Sequence, residues 1–426
     1  MLKKFSFVQG LVWSIILFVI PLPLIQSLAT GLPSMYNSEA FAIQIGSIAY
    51  VWFLAAIYLS TRPKWIDRII GLPSIYFIHG MLSIFAIILA YLHKDQTTSY
   101  GLIKQTGDWA FDIFIALMTY SLVFMAGWLT SRIQFLNIMK RWLEHLFHHE
   151  LSVWLHRLNL MAVVLVFIHV QLISYITSIP AYIWLFNGYT LIVAVLYGYA
   201  KINNYYLLSK GKLIAKTALN DNFYEFTIQL RHPSRIHIKP GDFVFIKFPN
   251  HDQLKELHPF SVVNSVGSDG LIILAIRGDG DFTKKIQQLD VGANVEVEGS
   301  YGKFAEIISD HPTMNLTLIA GGSGIAPMIS IINANPGKMI TLFYSAHNAE
   351  DLVYADQLQK LSTQRPTLTV HIQQGRYDIQ AEINSIPPAE TLFLLSGPNA
   401  MGRSWKQAIF NSGVPADRIY FEEFSW

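Results

Sequence analysis

The sequence contains no cysteine. That excludes disulfides, cysteine-ligated zinc or iron–sulfur sites and covalent attachment of a c-type haem. Charge is scarce as well: 14% of the 426 residues are charged, and 31 basic against 29 acidic side chains leave a net charge of +2. So neutral a chain gives no reason to expect nucleic acid as a partner. The shortage of charge is concentrated in the first half, which is apolar, whereas the second half has an ordinary composition long enough for two soluble domains.

Six runs of roughly 20 residues qualify as membrane spans: 8–28, 41–60, 72–93, 109–130, 151–174 and 180–200. The first follows Lys3 and Lys4 like a signal peptide, but its length, Pro21 and Pro23, and the lack of a small-residue cleavage site favour a retained helix. Lys3, Lys4, Arg62, Lys64, Arg68, Arg132, Lys140, Arg141, Lys201, Lys210 and Lys212 fall on one side of these runs; the opposite connections offer Lys94 and Lys104. The expected topology is a multi-pass plasma-membrane protein with both termini cytoplasmic.

Within the runs lie two histidine pairs, His79/His93 at a spacing of 14 residues and His156/His169 at 13. At about 1.5 Å per residue each pair spans roughly 20 Å, most of a hydrocarbon core. One imidazole near each face on each of two helices can hold two stacked haems, non-covalently. A lone buried histidine would be a structural hydrogen-bonding group; two pairs at matched depth favour ligation. The 14-residue step returns to within about 40° of the same helix face, but the 13-residue step misses by about 140°. The second helix must therefore tilt, bend or present its imidazoles at different azimuths. Arg157 is either a partner for haem propionates or a snorkelling interfacial cation. His145, His148 and His149 in RWLEHLFHHE read as an amphipathic interfacial segment rather than a metal site.

From about 212 to 299 the segments FYEFTIQL, DFVFIKF, PFSVVNSV and GLIILAIR alternate between turns, as in an antiparallel barrel. From about 311 the rhythm is strand, helix, strand, as in a parallel α/β sheet. The turn AGGSGIAP at 320–327 follows an apolar strand, where glycines admit a pyrophosphate and the next helix directs amides at it; LLSGPNAM forms a matching later turn.

With these motifs the chain resembles a transmembrane NADPH oxidase or ferric reductase, and its second half resembles the ferredoxin–NADP reductase superfamily. The resemblance rests on HPFS at 258–261, on IRGDGDFT some twenty residues later and on the glycine turns. It implies a multidomain membrane protein. An all-α six-helix transmembrane di-haem domain occupies 1–204, an antiparallel β-barrel FAD domain 205–310, and an α/β parallel-sheet NAD(P)-binding domain 311–426. It further implies that His258 and Pro259 help bind the FAD phosphates or ribityl chain, that Phe260 packs on the isoalloxazine, and that Ser261 lies near its N5. Arg277 would meet the pyrophosphate, with Gly280 and Thr283 at the following helix start. Gly321, Gly322, Gly324 and Pro327 would form the dinucleotide loop, and Gly397 and Pro398 a second loop beside the nicotinamide. Ser396 stands where many members have cysteine. Phe424, or less favourably Trp426, would cover the flavin. Where the family often binds the 2′-phosphate with arginine this chain has His347, and Arg376 or Arg403 could supply the charge; NADPH is favoured and NADH stays open.

By the same likeness His79 and His156 would hold a cytoplasmic b-type haem, and His93 and His169 an outer one. FAD would turn hydride pairs into single electrons for two haems whose axial positions are both filled by imidazole. The implied activity is transfer of electrons from cytosolic NAD(P)H across the lipid bilayer to oxygen, giving superoxide. A ferric chelate is the alternative acceptor. A protein of another class, a haem sensor or a haem subunit that delivers electrons to a partner, is the alternative reading. The residues leave the oligomeric state open.

Overall fold

A computed structural model describes residues 7–124, 154–206, 208–387 and 390–423. It divides into two compact units. One comprises the helices within 7–63 and 74–202; the other comprises 64–73 and the described residues from 203 to 423.

In the helical unit, α1 (Phe7–Ser14) and α2 (Leu22–Gly31) are joined through a π-helical turn, Ile15–Val19. Pro21 and Pro23 lack the N–H groups a continuous α-helix would need, and the Tyr189 hydroxyl donates to the carbonyl of Ile20 at 3.0 Å. After α3 (Ala40–Leu59) comes the short α4 (Lys64–Ile70), which belongs to the other unit. The helical unit continues with α5 (Leu72–Gln96), α6 (Gly101–Phe124), α7 (Asn159–Gln171) and α8 (Pro180–Tyr206). Among the described residues, five stretches are long and apolar enough to cross a membrane: Gly10–Gly31, Ala40–Leu59, Leu72–Gln96, Trp154–Gln171 and Pro180–Asn203. α6 is not among them. It begins eight residues before the expected fourth span, because Lys104 and Asp108 pair at 2.5 Å one turn apart and the helix runs through them; beyond 124 it lies outside the described residues. Tyr50, Phe53, Phe114 and Phe186 fill the centre. Hydroxyl pairs Ser47–Tyr182 and Tyr50–Thr190, both at 2.9 Å, satisfy polar groups that hydrocarbon would leave bare.

The other unit contains two sheets. Strands β1 (Ser209–Ala218), β2 (Phe223–Leu230), β3 (Phe243–Lys247), β4 (His258–Ser261), β5 (Leu271–Arg277) and β6 (Asn294–Tyr301) form an antiparallel sheet in the order β4-β3-β6-β1-β2-β5. A bridge between Val262 and Leu274 joins its two edges and closes it as a barrel. α9 (Asp281–Ile286) and α10 (Phe304–Asp310) flank it. The strands β7 (Asn315–Gly321), β8 (Ile340–Ala346), β9 (Leu368–Gln374), β10 (Thr391–Gly397) and β11 (Ile419–Glu423) form a parallel sheet in the order β11-β10-β7-β8-β9. Helices α11 (Ile325–Ala334), α12 (Ala355–Gln364) and α13 (Asn399–Asn411) connect them. The winding reverses between β7 and β10, and a crevice at such a reversal is where open α/β sheets bind ligands.

α4 is fastened to the barrel by charge. Lys64 Nζ donates to the carbonyl of Gly299 at 2.7 Å, and the amide of Gly302 donates to Asp67 Oδ2 at 3.0 Å. Arg68 grips both oxygens of Asp242, at 2.6 and 2.7 Å, and donates to the Gly302 carbonyl at 2.9 Å and Ser300 Oγ at 2.8 Å. Asp242 directly precedes β3, the strand that pairs with HPFS in the register Phe243↔Ser261 to Ile246↔His258.

Candidate active site

The two glycine turns lie at the ends of adjacent strands, β7 and β10, with Ser396 opposite Ala320. Their backbones are in contact. A Cβ on Gly324 would sit 2.2 Å from the Ser396 carbonyl, and one on Gly397, whose φ is +143°, 2.9 Å from the backbone of Gly321. A Cβ on Gly321 would meet Met401 at 2.6 Å and Pro398 at 2.9 Å. Packing therefore accounts for these three glycines. Gly322 differs: its φ is +52°, and its open side faces Arg277 Nη1 at 4.0 Å, space that a ligand backbone contact can use. Pro327 is buried in the first turn of α11.

On the barrel side, all four residues of HPFS are half-buried. The His258 ring stacks on Phe282 with centroids 3.9 Å apart, and Phe260 lies 6.0 Å from the same ring. Arg277, at the end of β5, is held by Asp279 at 2.7 Å through both Nε and Nη2. Thr283 Oγ1 accepts from the Gly280 amide at 2.8 Å and donates to the Gly280 carbonyl at 3.0 Å, so its hydroxyl already caps α9. A cleft of about 640 Å³ opens here, lined by residues that include Asn220, Asn222, Arg277, Asp279, Glu350 and Asp351. Arg277 is the cation an entering anion would meet.

Ser396 is fully buried and its hydroxyl has no hydrogen-bond partner among the described residues. Opposite it in the β10–β11 register is Glu422, also buried. Burial, then the nearby Asp67 and Asp242, hold the Glu422 carboxyl well above the usual carboxylate range. Sequence reasoning missed Glu422, Asp67, Arg68 and Asp242. The signal for Glu422 was a charge inside the apolar strand IYFEE; for the others there was none. His347 and Arg376 are exposed at the ends of neighbouring strands, tied by the Gly375 amide donating to the Ala346 carbonyl at 2.8 Å. Arg403 is half-buried on α13. Phe424, Trp426, His145, His148 and His149 lie outside the described residues.

In the helical unit the four span histidines come together as two facing pairs. The rings of His79 and His156 have centroids 6.0 Å apart, those of His93 and His169 6.3 Å. Two imidazoles ligating one iron from opposite sides, each nitrogen about 2 Å from the metal, place their centres about 6 Å apart. The donor sets fit. Nδ1 of His79 is 2.9 Å from the carbonyl of Ala56, that of His93 2.9 Å from Ala42, that of His169 2.8 Å from Ile103, and that of His156 2.9 Å from Ser121 Oγ. The three carbonyls can only accept, so they fix Nδ1–H and leave Nε2 of His79, His93 and His169 free to ligate; the Ser121 hydroxyl can donate or accept. The azimuth problem posed by the 13-residue step is met in part by a break at Leu158. There Leu158 bonds to Leu155 and Met161 to Leu158, three residues apart. Each such residue turns about 120° rather than 100°, so the break recovers part of the misfit. Arg157 stands exposed at this break.

Comparison with known proteins agrees with the sheet unit. Residues 211–314 match an FAD-binding domain family and 318–407 an oxidoreductase NAD-binding domain family. Component C of methane monooxygenase from Methylosinus trichosporium is 31% identical over 173 residues, 38% of this chain, so that the chain spans about half, 49%, of that protein's length. The gamma subunit of sulfhydrogenase 1 from Pyrococcus furiosus is 25% identical over 241 residues, 51% of this chain and 80% of the relative. The electron transfer subunit of dihydroorotate dehydrogenase B (NAD(+)) from Listeria innocua is 26% identical over 201 residues, 46% and 76%. The sheet unit thus carries an FAD-binding domain and an oxidoreductase NAD-binding domain.

Proposed function

We propose that this oxidoreductase passes electrons from cytosolic NAD(P)H through FAD and two b-type haems across the plasma membrane to an external acceptor, oxygen first, giving superoxide. The observation that carries the reading is the two facing imidazole pairs at 6.0 and 6.3 Å, each Nδ1 already engaged. His79 with His156, and His93 with His169, would hold the irons. Bound FAD supplies acceptance of a hydride and haem iron the passage of single electrons.

The remaining roles follow from the side chains. Arg277 and the open face at Gly322 suit a pyrophosphate, while His258, Pro259, Phe260 and Ser261 line the flavin strand. Ser396, Gly397 and Pro398 would receive the nicotinamide. Phe424 would stack over the flavin and yield to the incoming ring. Arg376 with His347 would recognise a 2′-phosphate. The connections α2–α3, α5–α6 and α7–α8 are short, at 32–39, 97–100 and 172–179, which offers little for a chelate pocket and favours a small diffusible acceptor.

Purified protein in lipid nanodiscs should show a low-spin bis-imidazole spectrum with two haems per chain, and should form superoxide from NADPH and FAD unaided. One haem or none would overturn the reading. Electrons counted in ferric chelate with no superoxide would reassign the acceptor.

A further inference from the structure

α6 presents an outward stripe unlike those of its neighbours. Gln105, Trp109, Asp112, Ala116 and Thr119 are all exposed, at alternating spacings of four and three, the period of a helix–helix seam. Three of the five are polar and one is small. The outward faces of the other helices are apolar: Phe85, Ile88 and Tyr91 on α5, Met161, Val164 and Ile168 on α7, and Leu191, Ile192 and Val195 on α8.

Asp112 sets the depth of this stripe. On α6, the Ile103 carbonyl meets His169 and the Ser121 hydroxyl meets His156, so these positions mark the two histidine levels. Asp112 is nine residues from each. A carboxyl at that depth, aimed outward, is costly against hydrocarbon and demands a polar neighbour. Asp108 one turn away has Lys94 and Lys104 at 2.9 and 2.5 Å; Asp112 has no hydrogen-bond or ion-pair partner among the described residues.

We infer that the α6 stripe is a self-association surface, packing against α6 of a second copy of this chain. The inference rests on reading the helical unit as membrane-spanning. Two copies inserted in one orientation run α6 parallel to itself, so each residue of the stripe faces its own counterpart at the same depth. The stripe is complementary under that operation. Glutamine amides and threonine hydroxyls both donate and accept, and Ala116 lets the backbones approach.

Because the chain has no native cysteine, single introduced cysteines report contact without background. The full chain carrying Ala116→Cys, reconstituted at high dilution in bilayers and oxidised, should yield at least about tenfold more covalent dimer than Val195→Cys on the apolar face of α8; adding Asp112→Leu should cut that yield about tenfold. Native mass of the unmodified protein in nanodiscs should show two copies. Equal cross-linking at both cysteines, or a single copy by mass, would overturn the inference. A chain that stays in the membrane through alkaline carbonate extraction yet is monomeric sinks only the pairing; one that is extracted sinks the membrane reading with it.

Discussion

Arg68 and Asp242, 174 residues apart in sequence, form a two-pronged ion pair at 2.6 and 2.7 Å in which the carboxylate is fully buried and the guanidinium 22% exposed. The pair joins α4, a helix set between two apolar helices in the sequence, to the residue that starts the strand beside HPFS. Removing one partner of such a pair leaves a buried charge uncompensated, which typically costs about 3–5 kcal/mol, whereas replacing both with apolar groups costs far less. Arg68→Met should therefore lower the thermal midpoint of the flavin unit sharply and weaken FAD retention. Arg68→Met with Asp242→Leu should recover part of the loss. A single variant as stable as the parent would show that α4 is not fastened through this pair.

Asp67 lies beside that pair with one carboxylate oxygen unpartnered, and burial pushes its pKa up to about 7, with Asp242 adding to the rise and the Gly302 amide and Arg68 opposing it. In the unfolded chain the same group titrates near 4, so between about pH 4 and pH 7 the folded state binds more protons. Its contribution is thus most favourable at low pH and is lost as pH rises through 7. Asp67→Asn should resemble the parent at about pH 4, become progressively more stable than it from pH 4 to 7 and keep a constant lead above pH 7, read as the difference between the two thermal midpoints at each pH. A difference that stayed constant from pH 4 to 7 would contradict the assignment.

The parts of this molecule that local patterning governs were legible in the sequence. HPFS falls on β4 because it is an apolar-flanked segment between turns, and AGGSGIAP forms a strand-to-helix turn because glycine allows the two loops to touch. The histidine pairs were legible because 13- and 14-residue spacings survive helix formation, although the break at Leu158 was visible only as a geometric misfit to be resolved. α4 was not legible. In KWIDRII the sequence offers Lys64 and Arg68 only as markers of topology, and the partners that claim those cations, Gly299 and Asp242, lie more than 170 residues away. Glu422 left one local trace, a charge inside the apolar strand IYFEE, but nothing local says that its strand will be covered.

Coenzyme choice is testable at the ends of β8 and β9. If Arg376 meets a 2′-phosphate, its loss removes a charge-assisted hydrogen bond, roughly 1.5–3 kcal/mol, which is about ten- to a hundredfold in kcat/KM. Arg376→Ala should then lower kcat/KM for NADPH by that factor and leave NADH nearly unchanged, with His347→Ala doing the same more weakly. Equal losses on both coenzymes would move the phosphate site elsewhere, with Arg403 the next residue to test.

Two glycines make room for the outer pair of imidazoles, and they grade the haem hypothesis. A Cβ on Gly46 would lie 2.7 Å from Nδ1 of His93, and one on Gly107 3.2 Å from the ring of His169. The first is closer than non-bonded atoms tolerate, and His93 is itself tethered to the Ala42 carbonyl at 2.9 Å, so the ring cannot retreat without breaking that bond. The second asks its neighbour to give by a few tenths of an ångström. Gly46→Ala should therefore remove most of the outer haem, much as His93→Leu would. Gly107→Ala should perturb its spectrum or potential while leaving it bound, and all three should keep NAD(P)H-dependent flavin reduction, since the sheet unit is untouched. Haem per chain, measured beside stopped-flow flavin bleaching, separates the outcomes: two haems retained in Gly46→Ala with an unchanged low-spin spectrum would mean that the position of the His93 ring does not matter, and with it the outer haem site would fall.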